Sequence, residues 1–520
     1  MKKIFIIGAG PAGLTAGYRL QKISNDYEVT ILEETNVVGG ISRTVEHNGN
    51  RMDIGGHRFF SKDATVNAMW NELMPLQGKP SYDDKKLNRR YTLSADGPDP
   101  EIADRVMLSR NRVSRIYYRK HFFNYPVKMN YDTIRNMGFF TTFVAGISYL
   151  KTLVRKLPEK SLENFYINRF GKKLYSMFFE GYTEKLWGRH PRDISADWGA
   201  QRVKGLSIVA VLKDIFRKLL PVGIKQQTVE TSLIEAFSYP KYGPGQLWQI
   251  TAEEFEKMGG KIIYNCRVDQ LKKEDSQISS LLCTCNGERI EYACDIVISS
   301  MPLKDLVNGL KNIPDEIKYI ASGLPYRDFV TVGLLLKKLN LKNETKLKTL
   351  NNIVPDCWIY VQDTGVKLGR IQIFNNWSPY MLKNPDETIW IGLEYFCSEG
   401  DEYWNMDNSN WKDFGVKELV AMGVINNDDP ILDFHVEKVK KAYPAYFDTY
   451  SQIGTLIEYL NNIDNLYCIG RNGQHRYNNM DHSMVTAFVA VENIVKNNKS
   501  DKSAIWSVNT EKEYHEEKSK

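Results

Sequence analysis

The chain has 520 residues, 42% of them apolar and 25% charged, which is enough for two or three domains and too apolar for a disordered or collagen-like chain. Its net charge of +6 suits small anionic ligands and makes no case for nucleic acid. Seven cysteines, none in a CxxC pair, argue for reduced thiols, no metal site and a cytoplasmic protein.

The chain enters a strand at once, Lys3 to Ile7, in place of a signal peptide. That strand runs into Gly8-x-Gly10-x-x-Gly13, with Ala12 inside the motif and a helical pattern after it. Gly8 allows a tight turn, Gly10 lets backbone approach a pyrophosphate, and Gly13 lets the helix pack close to the strand. Phosphates then face the N–H groups and favourable dipole of a helix N-terminus. A second strand, Tyr27 to Leu32, ends in Glu33 and Glu34, where a carboxylate can bond ribose hydroxyls. Gly39-Gly40 with Ser42, and then Asp53-Ile54-Gly55-Gly56-His57, form a second glycine-rich region that a plain NAD dehydrogenase has no reason to carry.

The longest apolar stretch, Met137 to Leu150, is too short for a bilayer span and reads as a buried helix. Its basic flanks, Arg115, Arg119, Lys120 and Lys128 before and Lys151, Arg155 and Lys156 after, leave weak peripheral membrane contact as a further expectation. Tyr182 and Trp187 lie in the aromatic block Phe178 to Gly188, and Arg202 follows in Ala196 to Val203. Lys261 to Tyr264 leads into Arg267 and Val268, and Cys294 to Pro302 reads as a buried strand. Arg370 opens a strand that continues into Asn375-Asn376-Trp377-Ser378-Pro379, and Tyr443 precedes Pro444. Leu466 to Arg471 is another apolar strand closing on Gly470. Tyr477, Asp481, Ser483 and Met484 follow at the start of a last helix.

The glycine motifs resemble those of the flavin amine-oxidase superfamily. That resemblance implies a discontinuous α/β Rossmann-type FAD-binding domain, a mixed-sheet substrate domain and a helical insertion. The expected segments are 1–62, 236–305 and 451–497 for the FAD-binding domain, 63–235 for the insertion with a substrate loop, 306–450 for the substrate sheet and 498–520 for a tail. It also implies that Gly8, Gly10, Ala12, Gly13, Glu33, Glu34, Gly40, Ser42, Gly55, Gly56, His57, Val268, Gly470, Arg471, Asp481, Ser483 and Met484 contact FAD.

The aromatic block, the Arg202 region, the Arg370 strand, Lys441-Ala442-Tyr443-Pro444 and Arg476-Tyr477 through Ser483 are similar to motifs of UDP-galactopyranose mutases, in the same order. The resemblance implies a UDP-sugar substrate for cell-surface glycans. Reduced FAD would act as nucleophile on the anomeric carbon, with NADPH or NADH as reductant. Arg202 and Arg370 suit a diphosphate, and Tyr443 and Tyr477 can donate hydroxyls to it. Tyr182, Trp187 and Asn376 would touch uracil or sugar, and His57 would face the flavin. Each also has a plainer reading: ion pairs for the arginines, core packing for the aromatics, a turn at Tyr443 and a capped ring for His57. The rival expectation is an FAD oxidoreductase or desaturase of the amine-oxidase or protoporphyrinogen-oxidase type. The sugar and the oligomeric state are left open.

Overall fold

The computed structural model describes residues 1–89, 91, 93–125, 131–196, 236–497 and 501–509. The chain divides into two units, one of residues 1–109, 238–328 and 439–510 and one of residues 110–237, 329–438 and 511–520. Residues 63–109, expected with the insertion, fall in the first unit.

The first unit is built on a five-stranded parallel sheet in the order Leu466–Cys468, Ile296–Ser299, Lys2–Ile7, Tyr27–Leu32, Lys261–Ile263. Its centre is the opening strand, where Ile4 pairs with both Ile296 and Val29. Ile4 and Ile6 are fully buried, as continuous apolar runs in a doubly covered parallel sheet should be. Helices Pro11–Ile23, Pro244–Lys257 and Met480–Val495 belong to this core; Leu14, Trp248 and Met484 are fully buried in it.

A three-stranded antiparallel sheet, Cys266–Glu274, Gln277–Cys285 and Glu288–Ala293, adjoins the nucleotide sheet. Here one expectation is corrected: Cys266 and Cys285 form a disulfide. The register sets them directly opposite one another on adjacent strands, an adjacency that sequence spacing conceals. Cys283, Cys294, Cys357, Cys397 and Cys468 are not disulfide-bonded.

The second unit carries a mixed sheet of seven strands, through which Ser114–Tyr118, Trp358–Val361, Arg370–Ile373 and Ile389–Cys397 run side by side. Alternation splits its residues between two faces. Ile359, Ile371 and Leu393 pair across one face and are buried with Trp411 and Leu419 of helix Asn408–Met422. The other face bears Tyr360, Arg370 and Glu394 in one row and Trp358, Gln372 and Gly392 in the next.

Helix Phe139–Val154 is not the buried helix expected from its apolar run. It packs on helix Leu162–Phe178 only through the side that carries Ala145, Tyr149 and Thr152. Gly171 makes the approach close: a Cβ there would lie 2.8 Å from the Tyr149 nitrogen. Phe139, Phe140 and Phe143 remain exposed.

Candidate functional site

In the first unit the predicted glycines converge at the N-terminus of helix Pro11–Ile23. A Cβ on Gly13 would meet the Gly8 carbonyl oxygen at 1.9 Å, one on Gly40 would meet the Gly10 Cα at 3.3 Å, and one on Gly470 would meet the Ala12 Cβ at 2.8 Å. Gly8, Gly40, Gly55 and Gly470 all have positive φ. The helix starts at Gly10 without a side-chain cap, so its leading amides form a backbone-lined cradle for an anion.

Glu33 ends the second strand as expected, and its carboxylate braces this turn. Oε2 accepts the Ala9 N–H at 2.7 Å, while Oε1 accepts from the Thr35 N–H and hydroxyl at 3.0 and 2.8 Å. Glu34 is exposed. The Cys266 N–H donates to the Glu33 carbonyl at 2.8 Å, which brings the Val268 strand to the same turn. On the opposite flank the Gly470 N–H donates to Thr486 Oγ1 at 2.8 Å, tying that glycine to the helix that begins with Asp481, Ser483 and Met484. Ser42 is buried, and His57 donates from Nδ1 to the Gly55 carbonyl at 3.0 Å.

Three further predicted residues of this unit come together. Tyr443 and Tyr477 stack with ring centroids 5.6 Å apart, and the Arg471 guanidinium lies 4.4 Å from the Tyr477 ring and 5.7 Å from Tyr443. Arg471 also donates to the Asn478 and Ala442 carbonyls at 2.9 and 3.1 Å, which fixes its plane between the two motifs.

Behind the Gly55-Gly56 turn sits a residue quoted in the sequence motif but not assigned to the site. Asp53 is fully buried and accepts hydrogen bonds from the Tyr239 hydroxyl and from Thr44 Oγ1. Burial pushes its carboxyl up from 3.8 to about 7, against the pull of those two donors. A folded-state value above the unfolded one means stability is greatest in acid and is lost as pH rises from about 4 to about 7. The expected loss is about 4 kcal/mol, and Asp53→Asn should flatten it in urea titrations across this window. An unchanged slope in the variant would remove Asp53 as the cause.

In the second unit the Arg370 guanidinium bonds the Glu394 carboxylate at 2.6 Å, across the strand pair that sets them opposite. Glu394 is fully buried, and Gln372 donates to its other oxygen at 2.9 Å. Tyr360 pairs with Arg370 from the next strand, and Tyr182 meets the Tyr360 ring edge-on at 5.8 Å. Tyr182 is held there by Lys185, whose Nζ donates to the Val361, Asp363 and Leu368 carbonyls of the hairpin preceding Arg370. Burial lowers the Lys185 ammonium to about 8. Trp187 is buried. Asn376 donates to the Val354 and Asp356 carbonyls at 2.8 Å each, so its amide shapes the turn after Arg370. Arg202 lies outside the described residues.

Sequence reasoning passed over Glu394, Gln372, Tyr360 and Lys185. Glu394 had a readable signal: a single carboxylate inside the apolar strand Ile389–Cys397 calls for a cationic partner.

The model of the NAD(P)-binding Rossmann-like domain family matches residues 6–73. A crystal structure of reduced UDP-galactopyranose mutase superposes with a TM-score of 0.75, covering 97% of this chain and 96% of that one at 20% identity. The two chains share one fold. Mitochondrial protoporphyrinogen oxidase of Nicotiana tabacum is 21% identical over 373 residues, 66% of each chain. Coproporphyrinogen III oxidase of Mycobacterium tuberculosis (strain ATCC 25618 / H37Rv) is 35% identical over 69 residues, 13% of this chain and 15% of that protein. The chain thus spans less than two thirds of the length of these curated relatives. One fold hosts several chemistries, so the reaction has to be argued from the residues.

Proposed function

We propose that the chain is an FAD enzyme that interconverts the pyranose and furanose forms of a sugar nucleotide, with NADPH or NADH as electron donor. The observation that carries this reading is the Tyr360–Arg370–Glu394 row with Tyr182 against it, a charged and aromatic surface on a sheet whose other face is apolar. A guanidinium and flat rings suit a diphosphate and uracil.

The residues present fit FAD. Gly10 and Gly40 leave room for phosphates at the helix N-terminus, Glu33 and Val268 border the nucleoside end, and Gly470 borders the far side. When bound and reduced, FAD supplies a nucleophilic ring nitrogen. The protein's part is to position the sugar and neutralise the departing diphosphate. Arg370 serves the phosphates, with Glu394 fixing its plane.

A second reading, an oxidoreductase that removes hydride from its substrate, is favoured by the likeness to the tobacco oxidase. One experiment separates the two. The dithionite-reduced protein is incubated with UDP-galactofuranose, with the oxidised protein as control. Conversion to UDP-galactopyranose by reduced protein alone is expected. If no UDP-hexose interconverts and electrons pass steadily to an added acceptor, the oxidoreductase reading takes its place.

A further inference from the structure

Helix Phe139–Val154 is amphipathic with its apolar side outward. Phe139, Phe143, Ile147, Leu150 and Val154 recur at helical spacing along one face, with Phe140 beside them, and their exposures run from 40% to 90%. The side packed on helix Leu162–Phe178 holds the small and polar groups. Ala145 and Thr152 are buried there, and Ser148 Oγ accepts the Lys173 N–H at 3.1 Å. A soluble surface helix has the reverse arrangement, and an exposed apolar stripe of this extent marks an interaction surface.

From Arg135 to Lys156 every charged residue is basic. The helix contains no Asp or Glu; Arg135 precedes it, and Lys151, Arg155 and Lys156 close it, all four exposed. Glu159, the next acid along the chain, is engaged by Arg169 at 2.9 Å and by Asn168 at 3.1 Å. We propose that this face docks on a bilayer containing anionic phospholipid, the helix lying in the interfacial plane with its phenylalanines among the acyl chains. No described helix is long and apolar enough to cross a membrane, and sixteen residues laid flat cover about 24 Å of surface. Charge favours lipid over a second copy of the chain. With cations at both ends of the stripe, parallel and antiparallel self-pairing alike set like charges together, whereas lipid phosphates neutralise them.

The test is flotation of the full chain with vesicles of phosphatidylcholine alone or mixed with phosphatidylglycerol. The protein should float with the mixed vesicles, less with phosphatidylcholine, and less again at high salt. Phe139→Ser/Phe140→Ser/Phe143→Ser should weaken partitioning by roughly 100-fold or more while elution volume and flavin content stay unchanged. Lys151→Glu/Arg155→Glu/Lys156→Glu alters only exposed positions and should abolish the preference for phosphatidylglycerol. Three results would overturn the proposal. They are failure of the wild type to float with either vesicle, undiminished flotation of the phenylalanine variant, and conversion of a dimer to a monomer or loss of thermal stability in that variant without any vesicle binding. The last would assign the face to a second copy or to residues 197–235 of the same chain.

Discussion

Gly10→Val should yield a folded protein that purifies without flavin colour. The backbone at Gly10 has φ −78° and ψ −176°, which any residue adopts, and a Cβ there meets nothing nearer than the Gly40 Cα at 3.9 Å. The protein itself therefore accepts the side chain, and only a dinucleotide lying in the cradle has to yield. Intrusion into a filled site costs about 1–3 kcal/mol, and displacing phosphates from charge-assisted amide bonds adds a similar amount. The combined loss of affinity should exceed ~100-fold, read by titrating apoprotein with FAD and by the visible spectrum. Gly13→Ala makes the contrast. Its Cβ would sit 1.9 Å from the Gly8 oxygen and 3.1 Å from the Gly8 carbonyl carbon, so strand and helix must part and melting temperature falls along with flavin content. Full flavin occupancy in Gly10→Val would mean that the cofactor does not use this turn.

Arg370→Ala should cost about 3–5 kcal/mol at neutral pH, because it leaves the buried Glu394 carboxylate without its cation. Burial already raises the Glu394 pKa, and the attraction of Arg370 is the largest influence holding it down. Removing the guanidinium lets it rise further. With the folded value above the unfolded one, the associated stability is complete below the unfolded pKa of about 4.3 and drains away as pH climbs through the folded value. The variant should therefore regain stability on acidification, measurable as a melting temperature that rises toward about pH 5. Activity lost in the single variant reports this damage as well as any loss of phosphate contact. Arg370→Ala/Glu394→Gln removes both charges and should restore most of the stability. Calorimetry with UDP on that double variant then isolates recognition. Wild-type affinity there would end the case for Arg370 as a phosphate reader.

The nucleotide cradle was legible because its chemistry is local. Gly8, Gly10 and Gly13 occupy one turn, and the strand entering it and the helix leaving it announce themselves by apolar pattern. The tyrosine–arginine cluster was legible in parts: the Tyr443 and Tyr477 motifs were each visible, but their stacking over Arg471 depends on a contact made between distant segments. Pairings across strands were hidden for the same reason. Glu394 faces Arg370, and Cys285 faces Cys266, only once a register exists, and a shift of one residue would send each partner to the opposite face. The Phe139 helix misled because an apolar run reveals that a face seeks cover without saying what covers it. Its neighbour takes the Ala145 and Tyr149 side through the notch at Gly171, leaving the aromatic side outward.

The nucleotide sheet draws its strands from widely separated parts of the chain, and this has a consequence for biosynthesis. The opening strand, Lys2–Ile7, is translated long before Ile296–Ser299 yet occupies the middle of the sheet, flanked by Tyr27–Leu32 and by that later strand. The latter's outer neighbour, Leu466–Cys468, is translated later still. Ile4 and Ile6 must therefore wait in a nascent chain with one flank bare while the second unit's segments are translated, an interval in which chaperone capture competes with aggregation. Gly470 follows closely on that strand, so the phosphate turn closes only after it has been made, and cofactor supply from then on should govern how much of the nascent protein reaches its native state.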